Sequence, residues 1–300
     1  TQGVQRASAT LIIATAIAVP IGGCGGAATD PNCQLVTDAS YGPAGSAAFS
    51  IDEVVTGLEV PWGLAFLDAD GLLISERPGR LQLYRDGSLT KLADVPISAG
   101  GEGGLLGLAL APDFADSRAF FVYFTTDVDG VAVNRVERWR LAEDEASASP
   151  EAVVVDGIPA AKFHNGGRIR IGPDGKLYIG TGDARVPELS QDVSSPAGKI
   201  LRAELDGAVP SDNPFGNLTW MYGLRNTQGF DWLSGDTMVV SDHGPSGEIS
   251  GRSDHDEISV AGPGANLGWP DIYACEARDG QISPSLTWSQ AVPPGGLAIY

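Results

Sequence analysis

From about residue 51 onward, short apolar runs alternate with turns rich in Gly, Pro and Asp. Four segments have the same order of elements: an apolar strand, then a polar turn, then a second apolar strand. They begin at Trp62, Leu106, Gly167 and Gly229. Pairs such as Asp174-Gly175 between alternating residues are strong hairpin signals, because both residue types tolerate positive φ. No ten-residue stretch in these segments has a helical period. The pattern predicts an all-β protein.

The spacing of the repeats narrows the architecture. Matching glycines, Gly63, Gly107, Gly167 and Gly229, are separated by 44, 60 and 62 residues. Such intervals suit one four-stranded blade per repeat, with loops of variable length between blades. We therefore expect a β-propeller of about four blades over residues 51–300, incomplete at its C-terminal end, where Gly296–Tyr300 would start a fifth blade. A propeller brings distant residues together on its axis.

Residues 1–23 are predicted to be a signal peptide of the lipoprotein type. An apolar run follows Arg6 and is too short to span a bilayer comfortably. It ends at Ile21-Gly22-Gly23-Cys24, which is similar to the lipobox of bacterial lipoproteins, so Cys24 would carry a lipid anchor. Ordinary signal cleavage and a buried apolar strand are the alternatives. We expect an exported protein, periplasmic or anchored to a membrane, with residues 24–50 as a flexible tether.

Cys33 and Cys275 remain once Cys24 is set aside. In an exported protein such a pair can form a disulfide. The bond would tie the N-terminal extension to the propeller and stabilise it by roughly 2–4 kcal/mol. Two free, partly buried thiols are the alternative.

The charge of the chain bears on its partners. A formal net charge of -19 argues against nucleic acid, because binding to phosphate backbones depends on Lys and Arg. Acidic composition suits Ca²⁺, which prefers carboxylate and carbonyl oxygens. The same charge can equally serve only to keep the protein soluble.

One histidine stands out as a candidate for chemistry. His164 lies before the glycine pair that opens the third repeat, and Asp183 follows its second strand. A hairpin between them would bring the carboxylate beside the imidazole. A neutral imidazole can accept a hydroxyl proton near neutral pH, and a carboxylate can fix its tautomer. The alternative is a hydrogen bond with a structural role only.

Several runs of residues, taken together, resemble the soluble glucose and aldose sugar dehydrogenases that use pyrroloquinoline quinone (PQQ). The resemblance extends from about Val54 to Tyr300. The runs that carry it are Pro61–Phe66, Gly101–Gly107, Lys162–Arg168, Gly180–Asp183, Tyr222–Gly229, Ser241–Pro245 and Asn266–Pro270. The family fold is a six-bladed propeller, so the resemblance implies that this sequence forms about four of those blades and the start of a fifth.

The resemblance also implies roles for individual residues. His164 would be the base on the anomeric hydroxyl of an aldose, held by Asp183, with the lactone as product. The implied cofactor-binding residues are Glu102, Arg225, Asn226, Gly244 and Pro245. The carbonyls of Gly244 and Pro245 would also ligate a calcium ion that grips the quinone. A second, structural calcium would use Glu257 and the carbonyl of Leu267, and the electrons would pass to an external acceptor.

The chain departs from the family at three places. Glu102 stands where these enzymes usually carry Gln, which could weaken binding of an anionic cofactor. Phe163 stands where glucose-specific members have Asp, so the aldose branch fits better. The closing blades, which supply basic residues for the quinone carboxylates, are not in this sequence. A non-catalytic, lipid-anchored propeller that acts as a binding module and a calcium-dependent lactonase therefore remain as alternative functions.

Overall fold

The computed structural model of the chain describes residues 28–37, 50–98 and 100–299. Four sheets follow one another along the chain. The first contains β2 (Pro61–Phe66), β3 (Gly71–Glu76), β4 (Arg80–Arg85) and β5 (Ser88–Asp94), numbered after β1 (Gln34–Val36). The second contains β6 (Leu105–Leu110), β7 (Ala119–Val128), β8 (Val131–Leu141) and β9 (Ala148–Pro159).

The remaining two sheets repeat this plan. The third contains β10 (Ile169–Ile171), β11 (Leu177–Gly180), β12 (Lys199–Ala203) and β13 (Thr219–Tyr222). The fourth contains β14 (Thr227–Ser234), β15 (Thr237–Asp242), β16 (Glu257–Ala261) and β17 (Leu286–Trp288). Helical structure in the described residues is limited to α1 (Phe114–Ser117) and a 3₁₀ turn at Pro187–Ser190. None of the helices in this part of the chain is long and apolar enough to cross a membrane. The four predicted blades of an all-β propeller are confirmed.

The core lies between successive blades. Strand β7 shows how, because its side chains alternate between the two faces of the sheet. Phe120, Val122 and Phe124 pack toward the first blade. Phe121 and Tyr123 pack toward the third blade. All five are almost fully buried, and each large apolar side chain so buried contributes roughly 1.5–3 kcal/mol.

The repeated glycines lie where neighbouring inner strands meet. A Cβ atom on Gly63 would lie 2.6 Å from the carbonyl oxygen of Leu106, on the inner strand of the next blade. One on Gly107 would lie 2.2 Å from the carbonyl oxygen of Gly167. Both distances are too short for any side chain. The glycine spacing in the sequence therefore reflects the close approach of the blades at the axis.

Residues 28–37 differ from the predicted flexible tether. Strand β1 pairs in parallel with β17 and so forms the outer edge of the fourth blade. Cys33 and Cys275 form a disulfide across 242 residues, with their Cα atoms 5.4 Å apart, which confirms the bonded alternative. The tether prediction failed here because the partner strand lies some 250 residues away and leaves no local signal. The predicted signal peptide, Cys24 and the rest of the tether lie outside the described residues.

The predicted start of a fifth blade is not a strand in the described residues. Residues 295–299 run beside the fourth blade, but their backbone bonds to side chains instead of to a backbone ladder. Arg170 donates to the carbonyl of Leu297 at 3.2 Å, and the backbone N–H of Ile299 donates to Asp231 at 2.7 Å.

Candidate active site

The hairpin of β10 and β11 brings His164 and Asp183 together, as predicted. Nδ1 of His164 lies 2.7 Å from Oδ1 of Asp183. The carboxylate is fully buried and also accepts hydrogen bonds from the indole of Trp269 at 2.8 Å and the backbone N–H of Arg185 at 2.7 Å. A carboxylate surrounded by donors accepts the Nδ1 proton as well, so the neutral ring keeps Nε2 as its acceptor.

The backbone around His164 is strained and firmly held. His164 has a φ of 63°, and Ala184 and Arg185 have φ values of 51° and 66°, all in the left-handed region. The N–H of His164 donates to Oε2 of Glu102 at 2.8 Å, and the carbonyl of His164 accepts from Ala184 at 3.2 Å. A Cβ on Gly182 would lie 2.0 Å from the carbonyl oxygen of His164. The surrounding contacts thus fix the position of the imidazole.

Arg225 and Asn226 lie between β13 and β14 and are held through their backbones. Their N–H groups donate to the two carboxylate oxygens of Asp242, each at 2.7 Å. Burial raises the pKa of Asp242 to about 6, against the lowering effect of these two hydrogen bonds. The side-chain oxygen of Asn226 accepts the N–H of Gly166 at 3.0 Å, which links this turn to the His164 hairpin.

The guanidinium of Arg225 is buried, with 3% of the side chain exposed. Its Nε donates to Oε1 of Glu248, and its Nη2 donates to the hydroxyl of Ser246 at 3.1 Å. The guanidinium carbon lies 5.7 Å from the centre of the Trp269 ring. Arg225 is therefore a fixed, buried positive charge and not a surface ion-pair residue.

A cavity of about 670 Å³ joins the predicted residues. Those that line it are Glu102, His164, Arg225, Asn226, Gly244 and Pro245. Asp183 is buried behind His164. These lining residues come from the three loops that join successive blades and from the β15–β16 loop of the fourth blade, so the spatial convergence expected from the sequence is present. Phe163 and Arg185 line the same cavity. The guanidinium carbon of Arg185 lies 5.5 Å from the centre of the Phe163 ring.

The residues predicted to bind calcium are placed in two different ways. Gly244 and Pro245 line the cavity, and the N–H of Gly244 donates to Asp256 at 2.9 Å. Glu257 starts β16, where burial and the carboxylates of Asp242 and Asp256 raise its pKa well above the ordinary value. The described residues contain no group of three or more His, Cys, Asp or Glu side chains arranged to hold a metal ion.

Leu267, the other residue predicted for the structural calcium, lies apart from the cavity lining. It is buried in the loop after β16, and its N–H donates to the carbonyl of Tyr222 at 2.8 Å. The structure thus brings Gly244 and Pro245 to the cavity and leaves the pairing of Glu257 with Leu267 a prediction.

Sequence reasoning missed three residues that support the site. Asp242 and Trp269 belong to runs that were recognised, but nothing in those runs indicated which partner each side chain would bind. Glu248 lies in a Gly- and Ser-rich loop with no periodicity and carried no signal. Contacts of this kind depend on how loops from separate blades meet.

Comparisons with known proteins agree with the geometry. The family described as Glucose / Sorbosone dehydrogenase matches residues 58–300. The chain is 34% identical over 286 residues to aldose sugar dehydrogenase YliI of Escherichia coli, covering 86% of this chain and 75% of that protein. It is 27% identical to quinoprotein glucose dehydrogenase B of Acinetobacter calcoaceticus over 272 residues, covering 79% of this chain and 55% of the relative.

A solved structure of a PQQ enzyme is also similar to this chain. The PQQ-bound aldose sugar dehydrogenase of Streptomyces coelicolor superposes with a TM-score of 0.76 at 38% sequence identity. The match covers 85% of this chain and 75% of that one.

Proposed function

This chain belongs to the glucose/sorbosone dehydrogenase family, and on that premise we propose that it oxidises the anomeric hydroxyl of an aldose to the lactone, with PQQ as the hydride acceptor. Membership and the similar PQQ enzymes identify it as an oxidoreductase of the sugar dehydrogenase type. The observation that carries the finer proposal is the arrangement of one cavity. The Asp183-bound imidazole of His164 and the buried guanidinium of Arg225 both line it.

Four carboxylates line the cavity, those of Glu102, Glu248, Asp254 and Asp256. The two guanidinium groups that line it, those of Arg185 and Arg225, are what fits it to an anionic quinone. The volume of the cavity, about 670 Å³, is within the range of small-molecule sites. Arg225 supplies a buried positive charge, and Asn226, Gly244 and Pro245 add polar groups. Glu102 has a carboxylate where the family usually has the amide of Gln. Oε2 of this carboxylate accepts a hydrogen bond from the N–H of His164, which partly compensates its negative charge. PQQ, when bound, supplies the acceptor for one hydride, that is, for two electrons.

The side chains of this chain perform the proton chemistry. Nε2 of His164 accepts the proton of the anomeric hydroxyl as the hydride leaves the anomeric carbon. The sugar therefore loses two electrons and two hydrogens in total. Asp183 stabilises the imidazolium that forms. Arg225 stabilises negative charge that develops opposite His164. An external acceptor must then collect the two electrons.

Calcium and location form the remaining parts of the proposal. Gly244 and Pro245 line the cavity, and their carbonyls would ligate a calcium ion beside the quinone, as the resemblance implies. Glu257 and Leu267 would hold a second calcium. Export to the periplasm is supported by the Cys33–Cys275 disulfide, because such bonds persist in oxidising compartments, and the proposed lipidation at Cys24 is based on the sequence before that cysteine alone.

One assay tests the proposal. Purified protein is mixed with PQQ and Ca²⁺, and dye reduction is followed with a panel of aldoses while lactone is quantified. We expect turnover that depends on PQQ, with one lactone formed for every two electrons that the dye takes up. Lactone hydrolysis without PQQ would support the lactonase alternative. Absence of both turnover and PQQ binding would leave the non-catalytic propeller as the better description.

A further inference from the structure

Glu248 contacts two parts of the cavity at once. It lies in the loop between β15 and β16, lines the cavity and has 14% of its side chain exposed. Oε1 accepts a hydrogen bond from Nε of Arg225. Oε2 accepts the backbone N–H of Ser246 at 2.7 Å. The hydroxyl of Ser246 in turn accepts from Nη2 of Arg225 at 3.1 Å, which closes a ring of three residues.

This ring fixes the plane of the guanidinium. A guanidinium has five N–H groups in a rigid fork, and the ring engages the edge formed by Nε and Nη2. Rotation of the side chain would break both contacts. Because Ser246 directly follows Gly244 and Pro245, the same carboxylate also holds the end of that turn. Glu248 therefore joins the two groups proposed to face the quinone from this side.

The charges show why the ring is stable. Burial is the largest single influence on Glu248 and opposes its negative charge, but the hydrogen bond and charge of Arg225 and the backbone N–H donors together outweigh burial, so the pKa of Glu248 lies below its ordinary value. Both oxygens have donors. Moving Glu248 away would leave a buried guanidinium and a backbone N–H without their partner, which is unfavourable for both.

Resting on the proposed function, we propose that Glu248 is a positioning residue for PQQ, which orients Arg225 and the Gly244-Pro245 turn toward the cofactor. The alternative is that Glu248 competes with PQQ, and this role predicts the opposite change in PQQ affinity. A carboxylate that merely competed with PQQ for Arg225 would weaken cofactor binding, and its removal would tighten it. The sign of the change in PQQ affinity on neutralising Glu248 therefore decides between the two roles.

The experiment measures PQQ binding directly, by titration of tryptophan fluorescence and by calorimetry, for wild type, Glu248→Gln and Glu248→Asp. Gln keeps the shape but has only one oxygen, so its NH2 group would face one of the two donors, Nε–H of Arg225 or the N–H of Ser246. We expect the Kd for PQQ to rise about tenfold or more in Glu248→Gln. Asp keeps the charge but is one methylene shorter, so its Kd should fall between those of wild type and Glu248→Gln.

Asp254→Asn is the matched control for charge. Asp254 lines the same cavity, and its carboxylate accepts a hydrogen bond from Ser253 at 2.7 Å instead of from Arg225. Its φ of 63° is one that Asn tolerates. The control reports what the loss of one negative charge from the cavity does by itself, which should be no change or slightly tighter binding.

The outcomes separate this inference from the proposed function. If wild type binds no PQQ, the proposed function fails. If wild type binds PQQ and Glu248→Gln binds it equally or more tightly, the positioning role is wrong. A thermal melt accompanies each variant, and if Glu248→Gln fails to fold, the Glu248→Asp affinity decides alone: a weakened Kd with a wild-type melt supports the role, and an unchanged Kd overturns it.

Discussion

The two walls of the cavity are built by different means. On the side of the third blade, His164 is held by a short hairpin in which backbone contacts and left-handed residues leave no freedom. On the side of the fourth blade, the longer loop between β15 and β16 is held by the carboxylates of Glu248 and Asp256, and the Arg225-Asn226 turn is held by the carboxylate of Asp242. Carboxylates hold both walls, but the first also depends on the exact glycine positions, whereas the second depends mainly on buried carboxylates, whose charge changes with pH.

The largest expected effect concerns the proton chemistry of the first wall. Asp183→Asn keeps the shape but removes the acceptor that fixes the His164 tautomer. We expect kcat/KM to fall about a hundred- to ten-thousandfold, because a ring in the wrong tautomer cannot accept the hydroxyl proton. The Kd for PQQ should change little. Steady-state kinetics over a range of aldose concentrations and a PQQ titration check this, and unchanged kinetics would remove Asp183 from the mechanism.

The next effect tests whether the backbone builds this wall. In Gly182→Ala, the new Cβ would lie 2.0 Å from the carbonyl oxygen of His164, so the hairpin must shift. A displacement near the reacting atoms of about 1 Å can lower kcat by about a hundredfold. Gly175→Ala is the control, since Gly175 lies at the other end of the same hairpin, where a Cβ would meet no atom within 4 Å. The control should lose about 1–2 kcal/mol of stability through its positive φ but keep its kcat.

The disulfide tests whether the outer edge of the propeller affects the cavity on its axis. Replacing Cys33 and Cys275 together with Ser should lower the free energy of unfolding by about 2–5 kcal/mol, because the bond closes a long loop. Both residues lie outside the cavity lining, so the Kd for PQQ should stay at its wild-type value. Denaturant unfolding and PQQ titration measure the two quantities. A large loss of PQQ affinity would mean that the outer edge and the axis are coupled.

The smallest effect reports on the buried charge of the second wall. Asp242 keeps its proton up to about pH 6 when folded, but loses it near pH 3.8 when unfolded. Between these values the folded state binds more protons, so stability falls as pH rises, by up to about 3 kcal/mol from this group. Glu257 acts in the same direction because its pKa is also raised. Denaturant unfolding from pH 4 to 6.5 should show a shallower slope for Asp242→Asn than for wild type, and identical slopes would contradict the assignment.

The difference between the walls also explains what could be predicted from the sequence. The repeat of strand, turn and strand predicted the blades, and the position of Asp183 after the hairpin predicted its contact with His164. Both are local relations. The Glu248 contact and the strand β1 were missed, because each depends on a partner that the sequence places in another loop or another blade. The disulfide could be predicted only in part. The sequence shows the two cysteines, but it does not show that they lie close together.

In the proposed reaction, His164 removes a proton from a sugar held beside PQQ in this one cavity, and every other role depends on that step. Reduction of stoichiometrically bound PQQ by an aldose, followed anaerobically by absorbance in wild type and His164→Asn, tests it most directly. We expect one PQQ per chain in both proteins, with rapid reduction in wild type and reduction slowed about a hundredfold or more in the variant. Equal rates of reduction in the two proteins would contradict this role of His164.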